Sequence, residues 1–446
     1  MTDQSWARAE DVRDPVRALQ ARFAHPRGRD GQPLLYLCGH SLGLAPLAAR
    51  ECVTAEVADW ERLGMLGHEQ ARSPWIGYAE QLQAPLAQLC GASATEVVAM
   101  NSLSVNLHLL LASFYRPVAD RGAILIEAGA FSSDRHIVAS QIGWHGLDPA
   151  RELIELVPRA GEECLRIEDI EQQIAALGSR LALVLWPGVQ YRTGQCFDLA
   201  RIARAAHAVG AVAGFDLAHS IGNVPLQLHD DEADFAIWCS YKYLNGGPGA
   251  IGGAFVHARH LAHDNLPRLT GWWGHEAPTR FQMSPEFTPA TGAAAWAVSN
   301  PPIFSTAPLR ASLPIFAEAG MPALRAKSLA LTNYLRTLLL QLAGEELAVI
   351  TPPAPQEHGC QLSVRLRAGA AGAAGAAGAA GAAGAAGTAC GRQVFEALSR
   401  SGVVCDWREP DIIRLTPVPL YNGFEEVWQA AQRLAGILKE RCNATR

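Results

Sequence analysis

The chain is poor in lysine. Of its 37 basic residues only Lys242, Lys327 and Lys439 are lysines, so arginine serves almost everywhere a plain positive charge is needed. Arginine stays protonated at any working pH, whereas a lysine amine can lose its proton when desolvated or set near other cations, and can then attack a carbonyl. A lysine kept where arginine would do is therefore a candidate for service as an amine. Other shortages exclude whole classes. There is no basic block and the formal charge is −6, which argues against nucleic acid as the main partner. No apolar run is long enough to span a bilayer and the opening residues carry no apolar signal core, so a cytoplasmic protein is expected. Ten cysteines lie scattered without a C-x-x-C pair, which indicates neither a zinc site nor a disulfide framework; reduced, mostly buried thiols are expected, and no metal. What remains, 446 residues with 49% hydrophobic and 18% charged, has the make-up of a globular enzyme with one large and one smaller domain.

Lys242 stands in Asp234-Phe-Ala-Ile-Trp-Cys-Ser240-Tyr241-Lys242-Tyr243-Leu-Asn-Gly246-Gly247-Pro-Gly249, between an apolar run that reads as a buried strand and a glycine-rich turn. A lone lysine at a strand end ordinarily snorkels to solvent, so the case needs a partner. Asp216, in Gly210-Ala-Val-Ala-Gly-Phe-Asp216-Leu-Ala-His219, ends a small-residue strand one βα step earlier. In an open α/β sheet the carboxyl ends of strands face the ligand crevice, which places Asp216 and Lys242 in one cleft. An aldehyde cofactor with a pyridine ring needs both groups, an amine for the aldehyde and a carboxylate to keep the ring nitrogen protonated. Asp at a strand end is also an ordinary helix cap, yet the pair in this order points to pyridoxal phosphate.

Apolar runs at 123–126, 153–157, 181–186, 211–215, 235–239 and 253–256 alternate with helical stretches at 135–142, 167–177 and 199–209. The pattern predicts an α/β fold, a mostly parallel sheet covered by helices on both faces with a smaller α+β C-terminal domain, and a seven-stranded sheet is expected. The expected domains are an N-terminal segment 1–50 packing with the small domain, a large domain 51–310 and a small domain 311–446. Polar residues before the helical run that begins near Leu103 make an anion site of the sort that holds phosphate, with simple capping by Ser102 or Ser104 as the alternative. Gly247-Pro-Gly249-Ala-Ile-Gly252 matches a dinucleotide fingerprint but runs into a strand instead of a helix, so it is read as a tight loop. One long helix is predicted from about 312 to 342. The Gly-Ala-Ala repeats of 369–387 offer no sizeable apolar face and are expected to be a disordered surface insertion without catalytic role.

These stretches resemble the kynureninase family, pyridoxal-phosphate hydrolases of the aspartate-aminotransferase fold. The likeness runs from about residue 34 to 440. It is carried by Asn101-Ser-Leu-Ser-Val-Asn-Leu-His-Leu-Leu, Phe131-Ser-Ser-Asp134, Tyr191-Arg-Thr-Gly-Gln195, Gly214-Phe-Asp-Leu-Ala-His219, Trp238-Cys-Ser-Tyr-Lys-Tyr-Leu-Asn245, Ser299-Asn-Pro-Pro302 and Thr416-Pro-Val-Pro-Leu-Tyr-Asn422. The resemblance implies that Lys242 is the Schiff-base lysine, that Asp216 holds the pyridine nitrogen, and that Phe131 stacks on the ring with Asp134 and His219 in support. It implies a phosphate site from Leu103, Ser104, Tyr241 and Trp272, with Ser132 and Ser133 also cofactor-binding and with Trp272 and Asn300 arriving from the second subunit of a homodimer. Arg414 would clamp the substrate carboxylate, while Ser41, His68 and Asn300 would line the aryl pocket. The reaction implied is hydrolytic Cβ–Cγ cleavage of L-kynurenine or its 3-hydroxy form, giving anthranilate or 3-hydroxyanthranilate and L-alanine in tryptophan catabolism, with Tyr241 relaying protons. Three positions depart from the family: His40 stands where Asn is usual, Ser104 where Thr is usual, and Pro187 where some relatives carry a polar residue. Ser104 keeps the hydroxyl, Pro187 cannot supply one, and His40 is expected to alter substrate preference. The rival within the fold is a cysteine desulfurase or an aminotransferase; the desulfurase would need a nucleophilic cysteine, for which Cys390 is the tempting candidate. The rival from another class is a cofactor-binding regulator or a catalytically dead partner, which would normally carry a DNA-binding module, and no helix-turn-helix with a basic face is read before residue 34.

Overall fold

A computed structural model describes residues 3–261, 266–367 and 391–444. The chain divides into two units. One comprises 48–190 and 197–317, the other 1–47, 191–196 and 318–446. The Gly-Ala repeat and Cys390 lie outside the described residues.

The larger unit is built on seven strands, Val97–Ala99 (β1), Ala123–Glu127 (β2), Leu153–Leu156 (β3), Leu181–Pro187 (β4), Val212–Asp216 (β5), Phe235–Trp238 (β6) and Gly253–Val256 (β7). They pair in the order β1-β7-β6-β5-β4-β2-β3. From β6 to β3 every pairing is parallel, and β7 runs antiparallel to both of its neighbours. The apolar runs of the sequence are continuous, not alternating, because the central strands are buried on both sides, as a parallel sheet covered by helices requires. Helices Leu103–Phe114 (α1) and Ser132–Trp144 (α2) contribute Leu107, Leu110, Phe114, Ile137 and Ile142 to a core with Ile124, Ile126, Leu183, Leu185 and Ile237. Helices Ile167–Leu177 and Leu199–Ala208 bury Ile170, Ile174, Ile202 and Ala206. The segment 246–252 is a turn that leads into β7, so its resemblance to a dinucleotide fingerprint is fortuitous.

The smaller unit carries an antiparallel sheet of Leu347–Val349 (β8), Leu362–Leu366 (β9), Asp406–Arg408 (β10) and Ile412–Leu415 (β11), in the order β10-β11-β9-β8. Leu335, Leu338 and Leu339 from helix Met321–Ala343, and Val427, Leu434 and Leu438 from helix Phe424–Ala444, pack with Leu362, Val364, Ile413 and Leu415 in one core. The N-terminal segment joins this unit: Leu35–Tyr36 pairs in parallel with Val403–Val404, and Asp11 caps the last helix by accepting the amides of Phe424 (2.7 Å) and Glu425 (3.0 Å).

The single helix expected over 312–342 is two, Ile303–Ala319 and Met321–Ala343. Gly320 between them takes φ +71°, a left-handed conformation that stops the first helix, and Pro322 suits the first turn of the second. The second helix holds Lys327, whose Nζ lies 2.7 Å from Asp14 with both side chains buried. Burial pulls this lysine's pKa down and Asp14 partly restores it. Lys327 is thus a structural cation. Replacing it by alanine strands a buried carboxylate, and the expected cost is about 3–5 kcal/mol of stability, read as a lowered Tm.

Candidate active site

Parallel strands end on one edge of the sheet, and that edge collects the functional side chains of the larger unit. Glu127 ends β2, Asp216 ends β5, and Cys239 to Lys242 follow β6. Lys242 Nζ lies 5.9 Å from the centre of the Phe131 ring and 5.8 Å from that of Tyr241. The Phe131 ring is 43% exposed, a flat apolar surface beside the amine. Asp216 is buried, and one of its oxygens accepts the Ala218 amide at 2.7 Å, which fixes the carboxylate's orientation. Asp134, one turn into α2, is also buried. Its pKa is pushed well above the usual carboxylate range, first by burial and then by the charge of the neighbouring Asp216, with Lys242 pulling the other way.

The turn that carries the lysine is made by backbone. Asn245 N–H donates to Lys242 O at 3.0 Å and Gly246 N–H to Ser240 O at 2.8 Å. Asn245 sits at φ +54°, and Asn101, just ahead of α1, at φ +44°. The Asn101 carbonyl accepts the Gly252 amide at 2.7 Å, so the two left-handed asparagines bracket one pair of loops. Asparagine tolerates this region better than other residues with a Cβ, and such outliers concentrate at functional sites.

Two helices begin here. The N-cap residue of α1 is Ser102 and that of α2 is Phe131, and neither makes a side-chain capping bond. Capping by Ser102, the plain reading of that stretch, is not formed. Ser104 Oγ instead lies 2.9 Å from Ser133 Oγ, bringing the first turns of both helices together. Open backbone N–H groups, two positive dipole ends and adjacent hydroxyls are what a phosphate requires.

Sequence reasoning missed Glu127 and the thiol partner of Tyr241. Glu127 is buried and accepts from Gln190 Nε2 at 3.2 Å; burial pushes its pKa up to about 8, Asp216 adds to the rise and the Gln190 hydrogen bond opposes it. Its position as the last residue of a buried strand was the available signal. Tyr241 is pushed upward by burial first and then by the neighbouring Cys239, so the phenol holds its proton. Glu127 should also mark the pH dependence of stability. A carboxyl whose folded pKa is raised adds stability at low pH that is lost as pH climbs from its unfolded value toward about 8. Glu127→Gln removes that loss. Its advantage in stability over the unaltered chain is expected to widen by up to about 1.4 kcal/mol per unit between pH 5 and pH 7.5, followed as the difference in Tm.

The other predicted residues fall in different surroundings. His219 is buried, its ring 6.2 Å from that of Tyr243. Trp272 is 44% exposed, and its indole N–H donates to Arg280 O at 3.3 Å. Ser132, Asn300 and His68 are exposed, and the His68 ring lies edge-on to Trp75 at 5.5 Å. Ser41 and Arg414 belong to the smaller unit. Ser41 is half-buried in a turn closed by its amide on Cys38 O at 2.9 Å. The Arg414 side chain is fully buried; Nε donates to Asp406 Oδ2 at 2.7 Å and Nη1 to Tyr191 O at 2.6 Å. His40 is buried, with Nδ1 2.6 Å from Thr416 Oγ1.

The larger unit's residues fit a pyridine-aldehyde phosphate. Asp134 Oδ1 is buried with no hydrogen-bond donor among the described residues, as expected where a donor on a bound group completes the set. An amine, a flat ring surface, two carboxyls and two helix N-termini are the parts such a cofactor needs. The fold agrees. A C-DES mutant with glycine covalently linked to its pyridoxal-phosphate cofactor superposes with a TM-score of 0.73 at 20% identity, covering 90% of this chain and 96% of that one. The cysteine desulfurase CsdA from Escherichia coli gives 0.69 at 18% identity, covering 95% and 98%. The chain has the fold of the type I pyridoxal-phosphate enzymes.

Sequence comparison narrows the class. A kynureninase from Xanthomonas campestris pv. campestris (strain B100) is 53% identical over 437 residues, 97% of this chain and 98% of the relative. One from Xanthomonas oryzae pv. oryzae (strain PXO99A) is 52% identical over 430 residues, 96% and 97% of the two chains. The model of the kynureninase C-terminal domain matches residues 324–377 and 376–434. The chain belongs to the kynureninase family, hydrolases that act on carbon–carbon bonds with pyridoxal 5'-phosphate as cofactor.

Proposed function

We propose that the chain hydrolyses the Cβ–Cγ bond of L-kynurenine, and of its 3-hydroxy form, to anthranilate or 3-hydroxyanthranilate and L-alanine. Within that family, the observation that carries the reading is the grouping of Lys242, Phe131, Asp134 and Asp216 at one sheet edge beside two helix N-termini. Bound there, pyridoxal phosphate supplies an aldehyde that takes the substrate amine and a ring that accepts electron density from the carbons next to it. Lys242 holds the cofactor and, once displaced by substrate, its amine takes the proton from Cα. Asp216 keeps a proton on the ring nitrogen, and Asp134 and His219 steady it. Phe131 stacks on the ring. Leu103, Ser104, Ser132, Ser133 and Tyr241 hold the phosphate through amides, hydroxyls and the dipoles of α1 and α2. Water adds at Cγ, the Cβ–Cγ bond breaks, and Cβ takes a proton for which the protonated Tyr241 phenol is the donor. Arg414 pairs with the substrate carboxylate, and Ser41, His68 and Asn300 line the aryl pocket.

The working form is a homodimer in the cytoplasm, with Trp272 and Asn300 reaching the phosphate and aryl sites of the second subunit. Trp60, Met65, Leu66, Phe304, Trp272, Phe281 and Met283 are exposed on the larger unit; the rings of Trp60 and Phe304 lie 5.9 Å apart and those of Trp272 and Phe281 5.6 Å. Apolar surface of this kind is what a subunit interface covers. Among the described residues no helix is long and apolar enough to cross a membrane. The two units correspond to a large cofactor-binding domain and a small domain that includes the N-terminal segment.

The test is turnover of L-kynurenine against 3-hydroxykynurenine, with the aryl product and alanine both measured. Alanine released from cysteine, with no anthranilate from kynurenine, would instead favour the desulfurase reading.

A further inference from the structure

The antiparallel register of the smaller sheet sets Asp406 and Ser363 opposite Arg414, one on each neighbouring strand. Residues paired across a sheet project from the same face, so these three side chains meet by construction. Resting on the reading of Arg414 as the carboxylate clamp, we propose that Asp406 is its positioning residue. It grips the guanidinium by one edge, so that the remaining N–H groups form a fixed two-point socket for a single carboxylate.

A guanidinium has five N–H donors. Nε and one N–H of Nη2 go to Asp406 Oδ2, and one N–H of Nη1 goes to Tyr191 O at 2.6 Å. One N–H on each of Nη1 and Nη2 is left with no acceptor among the described residues, on a side chain that is 1% exposed. Buried donors on a charged group are costly to leave open, and two on adjacent nitrogens match the two oxygens of a carboxylate. The anchor opposite Asp406 is equally fixed. Tyr191 O also accepts Gln361 Nε2 at 3.0 Å, Gln361 Nε2 reaches Ser363 Oγ at 3.0 Å, and Ser363 Oγ donates to Arg192 O at 2.6 Å. The guanidinium is therefore held on two sides by groups that are themselves held.

Charge sets what the socket takes. Arg408 Nε lies 3.0 Å and His40 Nε2 3.9 Å from the Asp406 oxygen that holds Arg414. Burial works against ionisation of Asp406, but the neighbouring His40 and the charges of Arg414 and Arg408 outweigh it and hold the carboxyl at about 2. With two guanidiniums against one carboxylate the surroundings are net positive, which suits an anionic carboxylate. It follows that His40, where the family usually has Asn, acts on the carboxylate end of the substrate through Asp406.

The experiment measures kcat and KM of the holoenzyme for L-kynurenine and for its carboxamide. Asp406→Asn is expected to raise KM for kynurenine roughly tenfold, a change of about 1.4 kcal/mol, with kcat and the carboxamide KM little moved. Asp406→Glu, which keeps the charge but shifts it by one methylene, should fall between the two. A carboxylate-to-carboxamide ratio that Asp406→Asn leaves unchanged, or a lower KM for kynurenine, overturns the proposal. Should Asp406→Asn not fold, the ratio in Asp406→Glu decides in the same way. Arg414→Ala separates the two layers. If it leaves the ratio intact, the clamp reading and this one both fail; if it collapses the ratio and the Asp406 variants do not, only the role of Asp406 fails.

Discussion

Lys242→Ala is expected to yield a folded protein that has lost the visible absorbance of the lysine-linked cofactor and at least ~10³-fold of its turnover, within the range that removal of a positioned acid–base group costs. The expectation comes from geometry. The amine sits beside the Phe131 ring at 5.9 Å, in a turn whose hydrogen bonds are made by backbone and so survive the substitution. The proposed tether to the cofactor and the proposed proton transfer would disappear together, and arginine cannot stand in for either, since a guanidinium neither attacks an aldehyde nor gives up its proton. An unchanged absorption spectrum in Lys242→Ala would falsify the assignment.

Arg414→Ala should behave in the opposite way, keeping the spectrum while raising KM for kynurenine about 10²-fold, the worth of a pair of charge-assisted hydrogen bonds at roughly 1.5–3 kcal/mol each once non-additivity is allowed for. A stability cost accompanies it, because Asp406 loses its bidentate partner and keeps only Arg408 and His40. A variant that loses cofactor absorbance but retains its KM would place Arg414 in cofactor binding and sink the clamp reading.

The sheet could be read from the sequence because its strands are buried on both faces and so appear as unbroken apolar runs: Leu181–Pro187 and Phe235–Trp238 stand out against the helices between them. Asp216 and Lys242 were legible for a related reason, since each follows such a run directly. The 312–342 break was missed because a lone glycine inside a helical pattern does not announce whether its φ is positive. Glu127 was missed because a carboxylate closing an apolar strand looks like a solvent-facing end, and only the fold shows that it is covered. The short strand holding Asp406 has just three residues, all half-buried, so no periodicity marks it; its meaning lies in register with a strand whose spacing in the chain says nothing of pairing. Residue identity thus pointed to the side chains proposed to hold the cofactor, while the groups that hold those side chains emerged only from three-dimensional pairing.

The sealed Lys327–Asp14 pair has a practical corollary for chemical trapping. With that ammonium locked against its carboxylate and out of solvent, an aldehyde reagent followed by borohydride finds only Lys242 and the exposed Lys439 among the lysine side chains. Peptide mapping after reduction therefore has almost no background of adventitious adducts to subtract, a cleanliness that a lysine-rich homologue would not share.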